Sequence, residues 1–320
     1  MKVSKIYFHR DFDGVASAAL VLRACIEQEY STVELESVDY GIPWVDQRLT
    51  RPCAVVDFLY HSDATFFWDH HSSPFPVEQW ASHYEQRKKR GDSIWWDASY
   101  PSCASLILST APQLRDDPAL VELARWSDII DSAGYSSAEQ VIRASEAALR
   151  LNLALASASE EFYAAVVRFL TRLPLDEVVS QPEVAARIEN ARKLQNEELR
   201  YFRSRMHSVD SVVLAEVADR VLSYSRYAPY HFDRDALYSV VLFRSPTGLK
   251  VLSMRNPWIQ FDSLHLGDLC RRLGGGGHER VGAIAFSPDE HERAVSAFTT
   301  IAGTVRSHAK SVRALILESV

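Results

Sequence analysis

Histidine and aspartate are concentrated close to the start of the chain. His9, Asp11 and Asp13 occupy every second position, directly after an apolar run. In an extended segment alternate side chains share one face, so these three could converge on one metal ion. Imidazole and carboxylate ligands suit manganese, iron, cobalt or zinc. The alternative is that Asp13 caps a helix starting near Gly14 while the other two residues are solvated.

Similar residues end two further apolar runs. Asp57 ends one of them, and Asp69, His70 and His71 end the next. Adjacent histidines at a strand end point in different directions, so one could bind metal while the other reaches a substrate. Taken singly, each of these is also compatible with an ordinary turn or a solvated surface pair.

Two candidate features lie farther along the chain. Asp128 and Asp131 are three positions apart in a helical pattern and could share a face, or they could simply form an exposed helix end. The glycines at 274–277 precede His278. Consecutive glycines let backbone amides approach an anion, and such nests bind phosphate, although a plain loop is the alternative.

The elements that would position these residues follow from the apolar pattern. Strands are predicted at 5–9, 32–38, 53–57 and 65–69. A helix is predicted at 15–27, and strands alternating with helices favour a mostly parallel sheet. In such a sheet ligands bind beyond the carboxyl ends of the strands, where three of these strands carry their histidines and aspartates.

A change of pattern divides the chain. Helices are predicted at 119–130, 139–156, 160–173 and 182–206, the last being long, charged and typical of a connector. Beyond it, strands are predicted at 211–217, 237–244, 249–254 and 282–286, with helices at 264–273 and 289–302. The fold class is therefore α/β, with an N-terminal parallel-sheet domain and a helical segment (1–180), a linker helix (181–207) and a smaller α/β domain (208–320).

In this order and combination, HRDFDG, the strand-end Asp57, DHH, a later helical aspartate and GGGGH resemble the motifs of the DHH phosphoesterase family. The resemblance extends over nearly the whole chain, with 1–180 as the DHH catalytic domain and 208–320 as the DHH-associated substrate-binding domain. It implies two divalent ions, most often Mn²⁺, with Mg²⁺, Co²⁺ or Fe²⁺ as alternatives.

The resemblance also implies roles for single residues. His9 and Asp11 would bind one ion, Asp13, His70 and Asp128 the other, and Asp57 both, with Asp131 as the alternative to Asp128. Asp69 would orient the histidines, and His71 would contact the substrate phosphate. In the second domain the implied substrate contacts are Arg255, Gly274, Gly275, Gly276, Gly277 and His278.

Composition limits the class of substrate. The formal net charge is −7, whereas proteins that grip long nucleic acids usually carry a basic surplus.

The four cysteines form no CxxC pair, and neither a signal peptide nor a membrane-spanning stretch is evident, so a cytoplasmic location is expected. The motifs leave a homodimer open.

The expected function is hydrolysis of short oligonucleotides or small nucleotides by water activated at two metal ions, with Asp57 and His71 as catalytic residues. A polyphosphate or pyrophosphate hydrolase and a single-strand exonuclease are the enzymatic alternatives. A nucleotide-binding regulator without turnover is the non-enzymatic alternative.

Overall fold

The computed structural model describes residues 2–25, 32–41, 43–156, 158–218 and 225–318. The chain forms two compact units. The N-terminal unit comprises Met1–Tyr135 and Ala144–Arg192, and the C-terminal unit comprises Ser136–Arg143 and Lys193–Val320. None of the described helices is both long and apolar enough to cross a bilayer.

The N-terminal unit contains one five-stranded sheet. Its strands are β1 Lys5–His9, β2 Glu34–Val38, β3 Cys53–Val56, β4 Phe66–Asp69 and β5 Ile94–Trp96. They are all parallel, in the order β2-β1-β3-β4-β5. Ile6 and Phe8 pack into the core on one face, and Tyr7 into the core on the other. Both faces are therefore covered, which explains why the interior strands β1, β3 and β4 are apolar between their ends.

Most of the described helices between residues 12 and 205 belong to the same unit as this sheet. They are α1 Phe12–Ala24, α2 Glu78–Lys89, α3 Cys103–Thr110, α4 Pro118–Asp131, α5 Ala138–Arg143, α6 Ala147–Leu155, α7 Glu160–Leu170, α8 Leu175–Val178 and α9 Pro182–Arg205. Helix α5 belongs to the C-terminal unit, while α6, α7 and α8 belong to the N-terminal unit. Short 3-10 helices lie at Trp44–Asp46 and Pro112–Asp116.

Helix α1 begins immediately beside the end of β1. The Asp11 carboxylate accepts a hydrogen bond from the Gly14 backbone amide at 2.8 Å and so caps the helix. A Cβ atom on Gly14 would lie 2.2 Å from the His9 carbonyl oxygen. Glycine at this position therefore lets the helix turn tightly around the strand end.

The C-terminal unit contains a six-stranded mixed sheet. Its strands are β6 Met206–Val209, β7 Val212–Ala218, β8 Tyr238–Ser245, β9 Gly248–Arg255, β10 Gly276–His278 and β11 Val281–Phe286. The order is β10-β11-β9-β8-β7-β6, and only β7 and β8 are parallel. The remaining helices are α10 Ala228–Phe232, α11 Leu266–Arg271 and α12 His291–Glu318. The last two share a core with one face of this sheet.

The α/β class, the parallel first sheet and the predicted hairpin of β8 and β9 are confirmed. Two helix predictions are wrong. The predicted helix 139–156 is two helices, because Ala144 between them adopts a positive φ of 42°. The predicted helix 289–302 continues to Glu318, because Val305 and Ala309 extend its buried stripe. Helix α1 ends at Ala24, and positions 26–27 of its predicted range lie outside the described residues.

Candidate metal centre

Three strand ends bring the predicted ligands together. In the register of the sheet, Phe8 pairs with Val56 and Val56 pairs with Trp68. The residues one step further along the chain are His9, Asp57 and Asp69, so they lie level at the same edge of three adjacent strands. This edge is the carboxyl end of a parallel sheet, where the sequence places a site.

Asp57 is at the centre of the cluster. Its side chain is 1% exposed, and its backbone has a positive φ of 55°, which aspartate tolerates better than most residues. One carboxylate oxygen lies 3.5 Å from Nε2 of His70, and the other lies 3.9 Å from Nδ1 of His9. Neither oxygen has a hydrogen-bond donor among the described residues. A buried carboxylate without donors is costly, and a cation bound beside it would offset that cost.

On one side of Asp57, His9 and Asp11 form a close pair. Nδ1 of His9 lies 2.8 Å from Oδ2 of Asp11. Burial raises the pKa of Asp11, but the hydrogen bond and charge of His9 outweigh it, so the net shift is downward. Burial lowers the pKa of His9, and its bond to Asp11 more than reverses this effect. Together with Asp57, these residues place three ligand atoms within 4.8 Å of one another.

On the other side of Asp57, His70 faces three carboxylates. Its Nε2 lies 3.6 Å from Asp13 and 3.4 Å from Asp131, besides its contact with Asp57. The other ring nitrogen, Nδ1, lies 3.1 Å from the Tyr100 carbonyl oxygen. If Nδ1 donates its proton there, the lone pair of Nε2 points into the carboxylate cluster, which is the arrangement of a metal-ligating histidine.

Asp13 is held by the start of helix α3. Its two carboxylate oxygens accept hydrogen bonds from the backbone amides of Cys103 at 2.7 Å and Ala104 at 3.0 Å. Burial raises the pKa of Asp13 to about 6, with further contributions from the negative charges of Asp11 and Asp131. Burial also raises the pKa values of Asp57 and Asp131. Burial and the mutual repulsion of these carboxylates therefore disfavour their negative charges unless a cation lies nearby.

The structure places Asp131, rather than the predicted Asp128, against His70. Oδ1 of Asp128 instead accepts hydrogen bonds from the hydroxyl groups of Ser102 and Ser105, at 2.5 and 2.7 Å. Residues three apart on a helix differ by about 60° in direction. The rotation of α4 therefore turns Asp131 towards the strand ends and Asp128 towards α3.

Asp69 orients His71, as the resemblance implies. Oδ1 of Asp69 lies 2.7 Å from Nδ1 of His71 and accepts the His71 backbone amide at 3.3 Å. Its hydrogen bond is the largest influence on His71 and raises the pKa of the imidazole. His71 is 31% exposed, whereas Asp69 is fully buried. The imidazole is therefore fixed on its Nδ1 side and available to solvent or a ligand.

The donor set fits divalent metal ions. His9, Asp11 and Asp57 form one group of ligand atoms, and Asp57, His70 and His71 form another. Both groups combine imidazole nitrogen with carboxylate oxygen, the ligand mixture of manganese, iron and cobalt sites. Ions at these positions would satisfy the buried oxygens of Asp57 and offset the excess negative charge.

The predicted residues of the C-terminal unit have a different environment. Arg255 ends β9, is 7% exposed and donates one hydrogen bond to the Ile259 carbonyl oxygen at 3.0 Å. Its guanidinium lies over the Phe261 ring at 4.7 Å, and its buried Nε has no acceptor among the described residues. Arg255 therefore retains an unused donor.

The glycine run is only partly the open nest that the sequence predicts. The amide of Gly274 donates to Arg271 and that of Gly275 donates to Cys270, at 3.1 and 2.9 Å. The positions from Gly276 to His278 form β10 and pair with β11. The amides of Gly274 and Gly275 thus cap α11, and a substrate contact by the glycine run stays a prediction. His278 is exposed.

Some neighbours of the metal centre were not found from the sequence. The carbonyl of Tyr100 and the amides of Cys103 and Ala104 lie outside any motif, and a backbone group leaves no signal in side-chain patterns. Tyr40 is 54% exposed, and its ring lies 5.3 Å from that of His9. Partial burial of the phenol, together with nearby carboxylates such as Asp69, raises its pKa to about 12.

No protein-family model and no curated protein sequence matches the chain. Solved structures do match its fold. The pGpG-specific phosphodiesterase PggH from Vibrio cholerae superimposes with a TM-score of 0.72 at 17% identity, over 96% of this chain and 99% of that one. RecJ from Thermus thermophilus in complex with Mn²⁺ gives a TM-score of 0.54 at 12% identity, over 95% of this chain and 51% of that one.

A second RecJ structure from Thermus thermophilus, in complex with Mg²⁺, gives a TM-score of 0.50 at 14% identity, over 95% of this chain and 49% of that one. The chain thus spans nearly all of PggH and about half of RecJ. At these identities the matches show a shared fold, which is the fold that the DHH resemblance predicts.

Proposed function

We propose that this chain is a DHH-type phosphoesterase that uses two divalent metal ions, preferentially Mn²⁺, to hydrolyse a phosphate ester bond in a short oligonucleotide or small nucleotide. The observation that carries this proposal is the environment of Asp57. Its two oxygens are buried without donors between His9 on one side and His70 on the other. A carboxylate shared by two ions accounts for this arrangement.

The proposed ligands fall into two sets that share Asp57. One ion would be held by His9, Asp11 and Asp57, and the other by Asp13, Asp57, His70 and Asp131. When bound, such a pair supplies Lewis acidity, which makes water a better nucleophile and offsets charge on the phosphate. Asp131 replaces the Asp128 of the sequence-based expectation, because only Asp131 faces His70.

The chain's own side chains supply orientation and one hydrogen-bond donor. Asp69 fixes the imidazole of His71 through Nδ1 and favours its protonated form. In that form Nε2 carries a proton and can donate to a phosphoryl oxygen as negative charge grows there. The amides at the start of α3 hold Asp13 in one rotamer, so that this proposed ligand needs little rearrangement.

A small substrate fits the net charge of the chain. The net charge of −7 disfavours a long polyanion. The chain matches nearly the full length of PggH, which is described as specific for the linear dinucleotide pGpG, but only half of RecJ. We therefore assign linear dinucleotides as the first substrates to test. Arg255, with its buried unpaired Nε, is the proposed contact for a substrate phosphate.

A hydrolysis panel tests the proposal. The full chain, freed of metal with EDTA and reloaded with Mn²⁺, Mg²⁺ or Co²⁺, is incubated with pGpG, other dinucleotides, a single-stranded 20-mer and polyphosphate. We expect Mn²⁺-dependent conversion of dinucleotides to mononucleotides, faster than cleavage of the 20-mer. Preference for the 20-mer would favour an exonuclease, and preference for polyphosphate would favour a phosphoanhydride hydrolase. Nucleotide binding without turnover in any metal would contradict the proposal and favour a regulator.

A further inference from the structure

An exposed aromatic side chain lies beside the metal centre. Tyr40 follows strand β2, is 54% exposed, and its ring meets that of His9 edge-on, with centroids 5.3 Å apart and planes at 76°. The other large apolar side chains with comparable exposure in the described residues are aliphatic: Val45, Val121, Leu194 and Leu315. Tyr40 thus combines an open aromatic surface with contact to a proposed metal ligand.

The covered side of Tyr40 rests on a rigid support. Its ring lies 5.2 Å from that of Phe58, which is fully buried. Phe58 in turn packs edge-on against Trp44, with centroids 5.1 Å apart, and the indole of Trp44 donates a hydrogen bond to the Leu59 carbonyl oxygen at 3.1 Å. These neighbours pack against part of the Tyr40 ring, while more than half of the residue stays open to solvent.

The charges around this surface favour a neutral group over a second phosphate. Asp39 precedes Tyr40, its side chain is half exposed, and its carboxylate lies 3.8 Å from Nε2 of His9. Asp11 lies on the other side of the same imidazole. These carboxylates would repel an additional phosphate that is not neutralised, whereas the face of a nucleobase carries no net charge.

We propose that Tyr40 is a stacking platform for the nucleobase of the nucleotide whose phosphate is held at the metal centre. The inference rests on the proposed function and adds to it the reason why nucleotides, rather than phosphate esters without a base, are selected. Stacking on an aromatic ring accepts any base, because every base has a π-face. Tyr40 would therefore select for the presence of a base and not for its identity.

Equilibrium binding separates the base from the phosphate. The Mn²⁺-loaded chain is titrated by calorimetry with AMP and with ribose 5-phosphate, which lacks the base. We expect the wild type to prefer AMP. Tyr40→Ala should weaken AMP binding roughly 5- to 100-fold and leave ribose 5-phosphate unchanged, while Tyr40→Phe keeps the preference. Val121→Ala, which truncates another exposed apolar side chain, is the matched control and should bind both ligands as the wild type does.

Two results would overturn the inference. One is equal affinity of the wild type for AMP and ribose 5-phosphate. The other is an equal loss of both ligands, or a loss of Mn²⁺ affinity, in Tyr40→Ala, because Tyr40 would then merely support His9. Binding is measured without turnover, so a chain that hydrolyses no substrate would sink the proposed function and leave this test intact. In an active chain, Tyr40→Ala should raise the KM for dinucleotides by a similar factor with little change in kcat.

Discussion

Two regions differ in whether the fold gives their polar groups hydrogen-bond partners. One is the set of strand ends in the N-terminal unit, and the other is the glycine-rich segment of the C-terminal unit. Around Asp57, several polar atoms are buried without donors, and burial raises the pKa values of Asp13, Asp57 and Asp131. At Gly274 and Gly275, by contrast, the amides already donate to backbone carbonyls. A sequence motif is therefore stronger evidence of a binding site where the fold leaves its polar groups unpaired.

Close packing of the backbone explains two of the glycines in this segment. A Cβ atom on Gly275 would lie 2.2 Å from the Ala283 carbonyl oxygen, and one on Gly277 would lie 2.3 Å from that of Val281. These positions are glycine because β11 and its loop approach too closely for any side chain. Packing accounts for them without reference to a ligand, whereas nothing in the packing accounts for Asp57.

The largest expected effect tests Asp57 directly. Asp57→Asn keeps the shape of the side chain and tolerates the positive φ, but it removes the charge between the two proposed ions. We expect activity to fall to roughly a thousandth of wild type, since a metal ion contributes several kcal/mol of charge stabilisation. The metal-free variant should melt no lower than the wild type, because it no longer buries an unpaired carboxylate. Retention of wild-type turnover would refute the role of Asp57.

Two aspartates of α4 are candidates for the same metal-ligand position. Asp131 faces His70, whereas Asp128 accepts hydrogen bonds from two serines of the α3 region. Asp131→Asn should weaken Mn²⁺ binding about 10- to 100-fold, and Asp128→Asn should weaken it much less. Calorimetric titration of each variant with Mn²⁺ measures this. The reverse order would restore Asp128 as the ligand.

Proton competition should govern metal affinity. Burial raises the pKa of Asp13 to about 6, so in metal-free protein this carboxylate becomes protonated as the pH falls below about 6. Mn²⁺ binding must then displace the proton, and affinity should fall about tenfold per pH unit for each such proton. Titrations between pH 5 and pH 8 check this. An affinity that does not change below pH 6 would show that Asp13 is not a ligand.

The raised pKa of Asp13 also makes the stability of the metal-free protein depend on pH. Because the pKa of Asp13 is higher in the folded than in the unfolded chain, the folded state binds more protons between about pH 4 and pH 6. The contribution of Asp13 to the stability of the metal-free protein is therefore lost as the pH rises through about 6. The increase in Tm on adding Mn²⁺ should accordingly be larger at pH 8 than at pH 5.

The smallest expected effect concerns the glycine run. Gly275→Ala should destabilise the fold by about 1–3 kcal/mol because its methyl group would clash with the Ala283 carbonyl. Gly276→Ala is the matched control, since a Cβ there meets nothing within 4 Å, and it should change stability by less than about 0.5 kcal/mol. Chemical denaturation measures both. Equal stability of the two variants would undermine the packing explanation.

Much of the candidate metal centre could be predicted from the sequence, because its signal is local. Apolar runs ending in His9, Asp57 and Asp69 locate strands and their polar ends together, and parallel pairing brings those ends to one edge. The pairing of Asp69 with His71 also depends only on neighbours in the chain. For these residues, strand order alone suffices to build the cluster.

The rest of the candidate site depends on how helices and strands pack against one another. Residue spacing does not determine that packing. Asp128 and Asp131 are equivalent in a helical pattern until the rotation of α4 is known. Helix α3, which binds Asp13 and Asp128, has no clear pattern in the sequence, and backbone donors leave no pattern at all. Tyr40 became a candidate only when its exposure beside His9 was visible. That the Gly275 amide already donates a hydrogen bond could likewise be seen only from the structure at the end of α11.

Anomalous diffraction from crystals soaked in Mn²⁺ would show whether Asp57 lies between two metal ions. We expect two manganese peaks, one on the His9 side of Asp57 and one on the His70 side, each within coordination distance of a different Asp57 oxygen. A single peak, or peaks that leave both Asp57 oxygens without a metal contact, would contradict this expectation.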